Sequence, residues 1–538
     1  MKEKEWTIMV YMAGDNNLSE DMITGLKGMM NFGTREKINL VALFDGSYPY
    51  SDIKFFDFTK KMPNTPKPGL KHTLEDFVED LQIPNIAASR RPASNIDLFK
   101  IEEFVPVVIN KYPAKKYALI LSGHSDGVIG RTLLRDENPD IALNLISLRK
   151  VLEKALPTKN GKKRKLDLLG FDGCLMGMLE VGYELKDVAK VMVASEGNIP
   201  TTGWDYHEVL VDIIANPQKM DEKDFAIKIV EKYSDFNVDY TIGGRSVNIS
   251  ACNLEELGKE ISLYALIQEL AGIFNDLLSL PTEAGKWITL KTAKENQLIK
   301  DKFVDWMLLS HYRSQIFMHG QAVDIIDFVY NLLLQYPKWL RENEILGIIQ
   351  PKKGKDKTIN ETINKIEERI NSIFEKFIEI NQAINDSGKK YILASCSVGA
   401  EYQFSQGVSL FFPWTTMALN LIEKNYNELK FNKNKKWLNF ITDFTKFTLR
   451  QNKDQPLFIK EIETLFAIPF ENLRHKEVGK KEVGKKEVGK KEVGKKEVGK
   501  KEVGKKGSIN EFYLYFSQFQ NYDPEVFKKH SIDNTSFI

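Results

Sequence analysis

The chain has 538 residues, 42% of them hydrophobic, and a formal net charge of +2. Such a length supports more than one domain and a sizeable core, while so small a charge gives no global argument for a nucleic-acid partner. Six copies of KEVGK fill residues 476–505, each with two Lys and one Glu; they contribute +6, and the rest of the chain sums to −4.

The three cysteines, Cys174, Cys252 and Cys396, are too sparse for a disulfide framework or a zinc pattern. The opening MKEKEWTIMVYMAGDNN has too short an apolar stretch for a signal peptide. No apolar run reaches the length of about 18 residues that a membrane span needs. A cytoplasmic location without a membrane partner is the expectation.

Taken in order, WTIMVYM (6–12) is an apolar, β-rich run closed by GDNN, where Asp15 or Asn16 is the candidate cap of a helix beginning near Leu18. INLVALF (38–44) is a second buried strand, and SDIKFFDFTK (51–60) alternates as part of an edge hairpin. A helix over 96–111 takes Asn95 as cap, YALILS (117–122) is the third core strand, and a helix follows at 144–155. Next come the strand LDLLGF (166–171), a helix at 175–187 and the strand VMVAS (191–195). Val/Ile/Leu runs separated by amphipathic helices predict a parallel sheet covered on both faces.

Residues 254–385 read as mostly helical, most clearly over 324–340, and 389–414 as two strands around a Gly-containing turn. Helical pattern returns at 415–450. In the KEVGK segment one Val recurs every five residues, a step of about 500° on a helix, so no apolar stripe forms. Its Gly and Lys content predicts a solvated linker. The organisation expected is an α/β core over 1–253, a mostly helical region over 254–450 with a β-hairpin near 389–413, a connector over 451–475, the linker over 476–506 and an aromatic tail over 507–538. That tail is a candidate partner-binding element.

In a sheet of this kind, sites form beyond the carboxyl ends of the strands. His124, Cys174 and Glu196 each stand just past such an end. One crossover helix separates the strands before His124 and Cys174, which makes them expected neighbours. A cysteine nucleophile needs a base to become a thiolate, usually imidazole, and N–H donors for the developing oxyanion. Cys174 follows Gly173 in a strand-to-helix turn, where a helix starting near Leu175 would favour a thiolate. His124 lies in a loop with Gly123, Gly127 and Gly130, which lets backbone approach a substrate. A lone Cys or His is more often structural; the pair on consecutive strand ends is what raises the functional reading. In caspases the His precedes the Cys by about 50 residues, the interval found here, although the local Q-A-C-x-G signature is absent.

Four stretches carry a family resemblance: WTIMVYMAGDNNLSE (6–20), LILSGHSDGVIG (119–130), LLGFDGCLMGMLEVGYEL (168–185) and ASEGNIPTTGWDY (194–206). Weaker echoes are AVDIIDFV (322–329) and GVSLFFP (407–413). The chain resembles the clostripain (C11) family of cysteine peptidases, in the broad clan of caspases, over about residues 5–415. The Cys motif with its flanking helix is the most specific piece. The resemblance implies a caspase-like α/β fold: a mostly parallel sheet sandwiched by helices, with a largely helical C-terminal region. It implies a Cys174–His124 dyad, and an oxyanion hole from the N–H groups of Ser125 and Cys174. It also implies cleavage after Arg or Lys, with Asp172 in the S1 pocket. The plain alternative for Asp172 is a cap or loop hydrogen bond.

Three positions depart from the family pattern. Ser125 stands where the clan usually has Gly, and a glycine-type φ there would cost it about 1–2 kcal/mol. Gly173 replaces the usual Ala. Thr202 stands where relatives often carry an acidic residue, and Asp205 is the expected compensation. Arg131 and Arg135 are candidate self-cleavage positions; the basic loop TKNGKKRK (158–165) reads as a solvated turn. No cofactor is required by such chemistry. Calcium is an open expectation at RDENPD (135–140), which lacks EF-hand spacing. The expected partners are peptides or proteins bearing basic residues. The alternative functions are an impaired caspase-like scaffold acting as a binding or regulatory protein, which Ser125 favours, and cleavage of small amide or peptide conjugates.

Overall fold

The computed structural model describes residues 2–32, 36–47, 53–59, 73–79, 99–128, 133–137, 140–159, 161–236, 246–285, 289–342, 391–413 and 416–454, with a few single positions between 368 and 379. Met1–Leu465 form one unit and Phe466–Ile538 a second. Asn95, Arg131, the linker and the aromatic tail lie outside the described residues.

In chain order the strands of the first half are β1 (Lys4–Gly14), β2 (Ile38–Gly46), β3 (Lys54–Asp57), β4 (Val78–Glu79), β5 (Ala114–Ser122), β6 (Leu133–Glu137), β7 (Asp140–Leu143), β8 (Thr158–Lys159), β9 (Lys162–Lys163), β10 (Leu166–Asp172), β11 (Ala189–Ala194) and β12 (Val247–Asn253). Among them run helices α1 (Ser19–Met30), α2 (Phe99–Lys111), α3 (Leu145–Ala155), α4 (Leu179–Leu185), α5 (Tyr206–Ala215) and α6 (Glu222–Phe236). The second half contributes α7 (Leu263–Leu278), α8 (Leu290–Arg313), β13 (Ile316–Phe317), β14 (Ala322–Asp324), α9 (Ile325–Glu342), β15 (Ile392–Val398), β16 (Ser409–Phe411), α10 (Thr416–Asn427) and α11 (Lys436–Asp454).

Nine strands form one sheet in the order β15-β12-β11-β10-β5-β1-β2-β3-β4. Its five central strands, β2 to β11, run parallel, and antiparallel strands extend both edges. Continuous apolar sequence is what a strand buried on both faces requires, and β5 and β10 are buried through the length of YALILS and LDLLGFD. Alternation sorts the faces. Trp6, Ile8, Val10 and Met12 of β1 join a cluster with Leu26 of α1, Leu210 of α5 and Ile229 of α6. On the other face Tyr11 meets Phe104 of α2, and Thr7 Oγ1 donates to the Tyr112 carbonyl.

Two expected elements need correction. Residues 392–398 and 409–411 are strands, but they do not form a hairpin. β15 pairs with β12 at the edge of the main sheet, and β16 pairs with β14 in a separate three-stranded sheet. The intervening Gly399 (φ +97°) and Gly407 (φ +113°) turn the chain from one sheet to the other. Helix α4 begins at Leu179, four residues later than Leu175. Leu175 adopts φ +64° and breaks helical geometry before it can start. At the first helix, Asn16 Oδ1 accepts from Leu18 N at 2.9 Å, so Asn16 shapes the turn while Leu18 takes the N-cap position.

The C-terminal region is stitched to the core next to β10. Ser409 N donates to Gly177 O and Phe411 N to Glu180 Oε1, both at 2.9 Å. Phe412 is fully buried among His311, Phe328, Trp437, Phe440 and Phe444.

Candidate functional site

Register decides which side chains meet. β5 and β10 are adjacent and parallel, with Ser122 opposite Asp172. Both strands therefore end at one level, and the residues two positions further on are His124 and Cys174. Gly123 N bonds back to Asp172 O at 3.1 Å, holding the two loops together. His124, Cys174, Asp172, Gly173 and Thr202 all line one pocket, walled also by Met12, Leu18 and Met22.

His124 Nε2 lies 2.7 Å from Asn17 Oδ1. An amide oxygen only accepts, so in this hydrogen bond Nε2–H is the donor. Sequence reading singled out GDNN as a cap and missed this contact. It depends on the loop after β1 lying beside the loop after β5, which no local pattern encodes; β1 and β5 are paired neighbours.

The Cys174 thiol is largely buried. Burial pushes its pKa up, the Ile199 N–H at 3.4 Å from Sγ pulls it down, and Asp172 and Asp126 push it up again. With α4 beginning at Leu179, the helix terminus does not adjoin Cys174. The expected help of a helix dipole therefore does not reach the thiol.

Ser125 is buried, and its Oγ donates to the Cys174 carbonyl at 2.7 Å. Among the described residues, the non-glycine positions with positive φ are Leu134, Leu175, Met318 and Lys435. Ser125 is not one of them, so the glycine-type strain expected there does not arise. The strain sits instead at Leu175, where a left-handed φ costs about 1–2 kcal/mol. Neither the Ser125 nor the Cys174 N–H donates a hydrogen bond among the described residues.

Asp172 is 4% exposed and pushed up to about 6 by burial, against donors that pull it down. Ser122 Oγ and Tyr206 Oη donate to its Oδ2, both at 2.8 Å, and Trp204 N donates to Oδ1 at 2.9 Å. Gly203, at φ +64°, passes so close that a Cβ there would stand 2.8 Å from both carboxylate oxygens. Asp205 does not line the pocket. Its Oδ1 accepts from His207 N at 2.9 Å and Glu208 N at 3.1 Å, which makes it the N-cap of α5. The compensation expected of Asp205 is thus corrected: its carboxylate is committed to the helix start.

Glu196 is buried and turned away from the pocket. Ser405 Oγ and Gly407 N donate to its Oε2, the latter at 2.9 Å. Arg135 lies in β6, its carbonyl held by Asn16 Nδ2 at 2.8 Å. Of the acidic run 135–140, residues 138 and 139 lie outside the described residues. Among the described residues no group of three or more His, Cys, Asp or Glu is disposed to hold a metal ion, so no step is derived through calcium.

A profile of the clostripain family matches residues 10–444. Clostripain of Hathewaya histolytica is 26% identical over 276 residues, spanning 48% of this chain and 49% of that protein. The chain therefore matches about half the length of that relative. Similar solved structures include two C11 proteases. A secreted C11 cysteine protease from Bacteroides thetaiotaomicron, in complex with an irreversible peptide inhibitor, has TM-score 0.47 and 17% identity, covering 80% of this chain and 98% of that one. An inactive zymogen C11 protease from Parabacteroides distasonis has TM-score 0.47 and 16% identity, with 80% and 98% covered.

Proposed function

The chain belongs to the clostripain family, and from that premise we propose that it is a cysteine peptidase acting through Cys174 and His124. The observation that carries the reading is the register of β5 on β10, which brings both residues to one pocket. Cys174 Sγ attacks the scissile carbonyl and forms a thioester. The attacking form is the thiolate, and burial disfavours it, so His124 must take the thiol proton. Asn17 Oδ1, 2.7 Å from Nε2, orients the ring for this step. The resulting imidazolium then protonates the leaving amine. The unengaged N–H groups of Ser125 and Cys174 are the donors offered to the oxyanion.

Asp172 supplies the preference for Arg or Lys at P1. It is the carboxylate on the pocket wall, and Oδ1 retains a lone-pair direction after its bond from Trp204 N. A cationic side chain completes its shell. Maturation by self-cleavage between the His and Cys loops belongs to the same reading. At Arg135 it requires release of the carbonyl from Asn16.

The test is a fluorogenic peptide panel varied at P1, run with and without calcium, followed by intact mass. Cleavage after Arg and Lys is expected, and Cys174→Ala should abolish it with an unchanged melting temperature. Retained cleavage in that variant would end the proposal.

A further inference from the structure

We propose that Ser125 is a positioning residue for the nucleophile turn, and that its hydroxyl, together with the Gly123 carbonyl, occupies the space of the methyl that Gly173 lacks. This deepens the reading of Cys174 as nucleophile and rests on it.

A single peptide unit is held at both ends. The Cys174 carbonyl accepts from Ser125 Oγ at 2.7 Å, and the N–H of the same unit, on Leu175, donates to Gly197 O at 2.9 Å. A peptide unit is planar, so anchoring its two polar ends fixes its rotation. One anchor comes from the loop after β5 and the other from the loop after β11. The unit so held joins Cys174 to Leu175, which sits at φ +64°. Such a conformation persists in a leucine only where the surroundings impose it. The other side of Cys174 carries the chemistry: its N–H, and the Sγ that accepts from Ile199 N.

Gly173 makes the arrangement fit. A Cβ built there would run into Ser125 Oγ and stand 2.7 Å from Gly123 O. The serine hydroxyl thus fills the gap between the two strand-end loops, and it adds a hydrogen bond that a methyl could not make. The identities at 125 and 173 are one coupled choice. Ser at 125 fits Gly at 173, and it returns a clamp on the residue that follows the nucleophile.

A two-by-two cycle on the full chain tests this, with melting temperature and the pH profile of Cys174 alkylation by iodoacetamide as readouts. Ser125→Ala frees the carbonyl, lets the turn relax and takes Sγ away from Ile199 N–H. The alkylation midpoint should move up in pH, and turnover of a Lys-P1 peptide should fall about tenfold with KM little changed. Gly173→Ala should displace the hydroxyl, moving the midpoint the same way and lowering the melting temperature. Ser125→Gly should lower the melting temperature in the wild-type background and raise it in Gly173→Ala. The rescue is partial, because the Gly123 O contact remains. A change of the same sign in both backgrounds overturns the coupling, and an unmoved alkylation midpoint in Ser125→Ala overturns the clamp. Failure of the unmutated protein to cleave peptides strikes the peptidase reading alone, since melting and alkylation need no turnover.

Discussion

Asp172 shows how much one residue's meaning depends on its surroundings. Three internal donors hold it, yet burial leaves it at about 6, above the ordinary carboxylate range. A neutral carboxyl offers a cation little, and an ionised one in a buried wall offers much. Below about pH 6 the group is mostly protonated; as pH rises through that value it ionises, and affinity for a cationic P1 residue should rise with it. A bound cation moves the group's pKa down and widens the window. We expect KM for Lys- and Arg-P1 peptides to fall as pH rises from 5 to 7, while KM for neutral-P1 peptides stays flat. Asp172→Asn should remove the difference and cost basic substrates about ten- to a hundredfold in kcat/KM, the worth of one charged hydrogen bond. A basic-substrate KM indifferent to pH across that range would rule out Asp172 as the ion-pair partner. His124 and Cys174 are legible in the sequence because each interrupts an apolar run at a glycine. Asn17 and Asp205 are not, because their roles depend on what lies opposite: an imidazole for one, a helix start for the other.

At the scale of elements, the parallel core was open to sequence reading because doubly buried strands must be apolar throughout. The boundaries were not. α4 starts late because Leu175 is held left-handed by contacts from β5 and β11 loops. The strands near 400 part company because their partners, β12 and β14, come from distant segments. Where they part, a buried carboxyl pair joins the loop after β11 to the C-terminal region. With both groups ionised, Glu196 Oε1 has no donor; a proton shared with Asp324 supplies one. Burial and the neighbouring Asp324 both push Glu196 up, and burial pushes Asp324 up against several backbone donors. Folded pKa values above the unfolded ones contribute stability that is present below the ordinary carboxylate range and lost as pH rises through the folded values. Glu196→Gln keeps an acceptor for Ser405 and Gly407 and offers Asp324 an N–H₂ donor in place of the proton. Its melting temperature should match wild type near pH 4 and exceed it increasingly as pH rises above the ordinary carboxylate range. A parallel pH dependence in the two proteins would show that no proton is shared.

The first unit behaves in packing terms as one body although its elements come from distant stretches of chain. Residues 400–412 pass beside the site wall, where Asn198 N donates to Tyr402 Oη at 3.1 Å, then bond to the loop after β10 through Ser409 and to Glu180 of α4 through Phe411. Phe412 ends this path. Its carbonyl lies 2.9 Å from His311 Nε2, its N–H donates to Gln321 O at 2.9 Å, and its ring meets Phe444 at 5.3 Å and Trp437 at 5.5 Å. Burial pushes His311 down to about 4, so it packs there as a neutral ring. The sequence announces GVSLFFP as a buried run, but not that it fastens the helical region to the sheet that carries Cys174. Phe412→Ala empties an aromatic core site and should cost about 3–5 kcal/mol. Because the same segment supports Glu196 and Tyr402, the loss should be felt by the whole unit. In urea, far-ultraviolet circular dichroism and Cys174 alkylation should report one transition at a lowered midpoint. Two separated transitions, with Cys174 protection outlasting loss of the helical signal, would instead mean that the sheet stands without the C-terminal region.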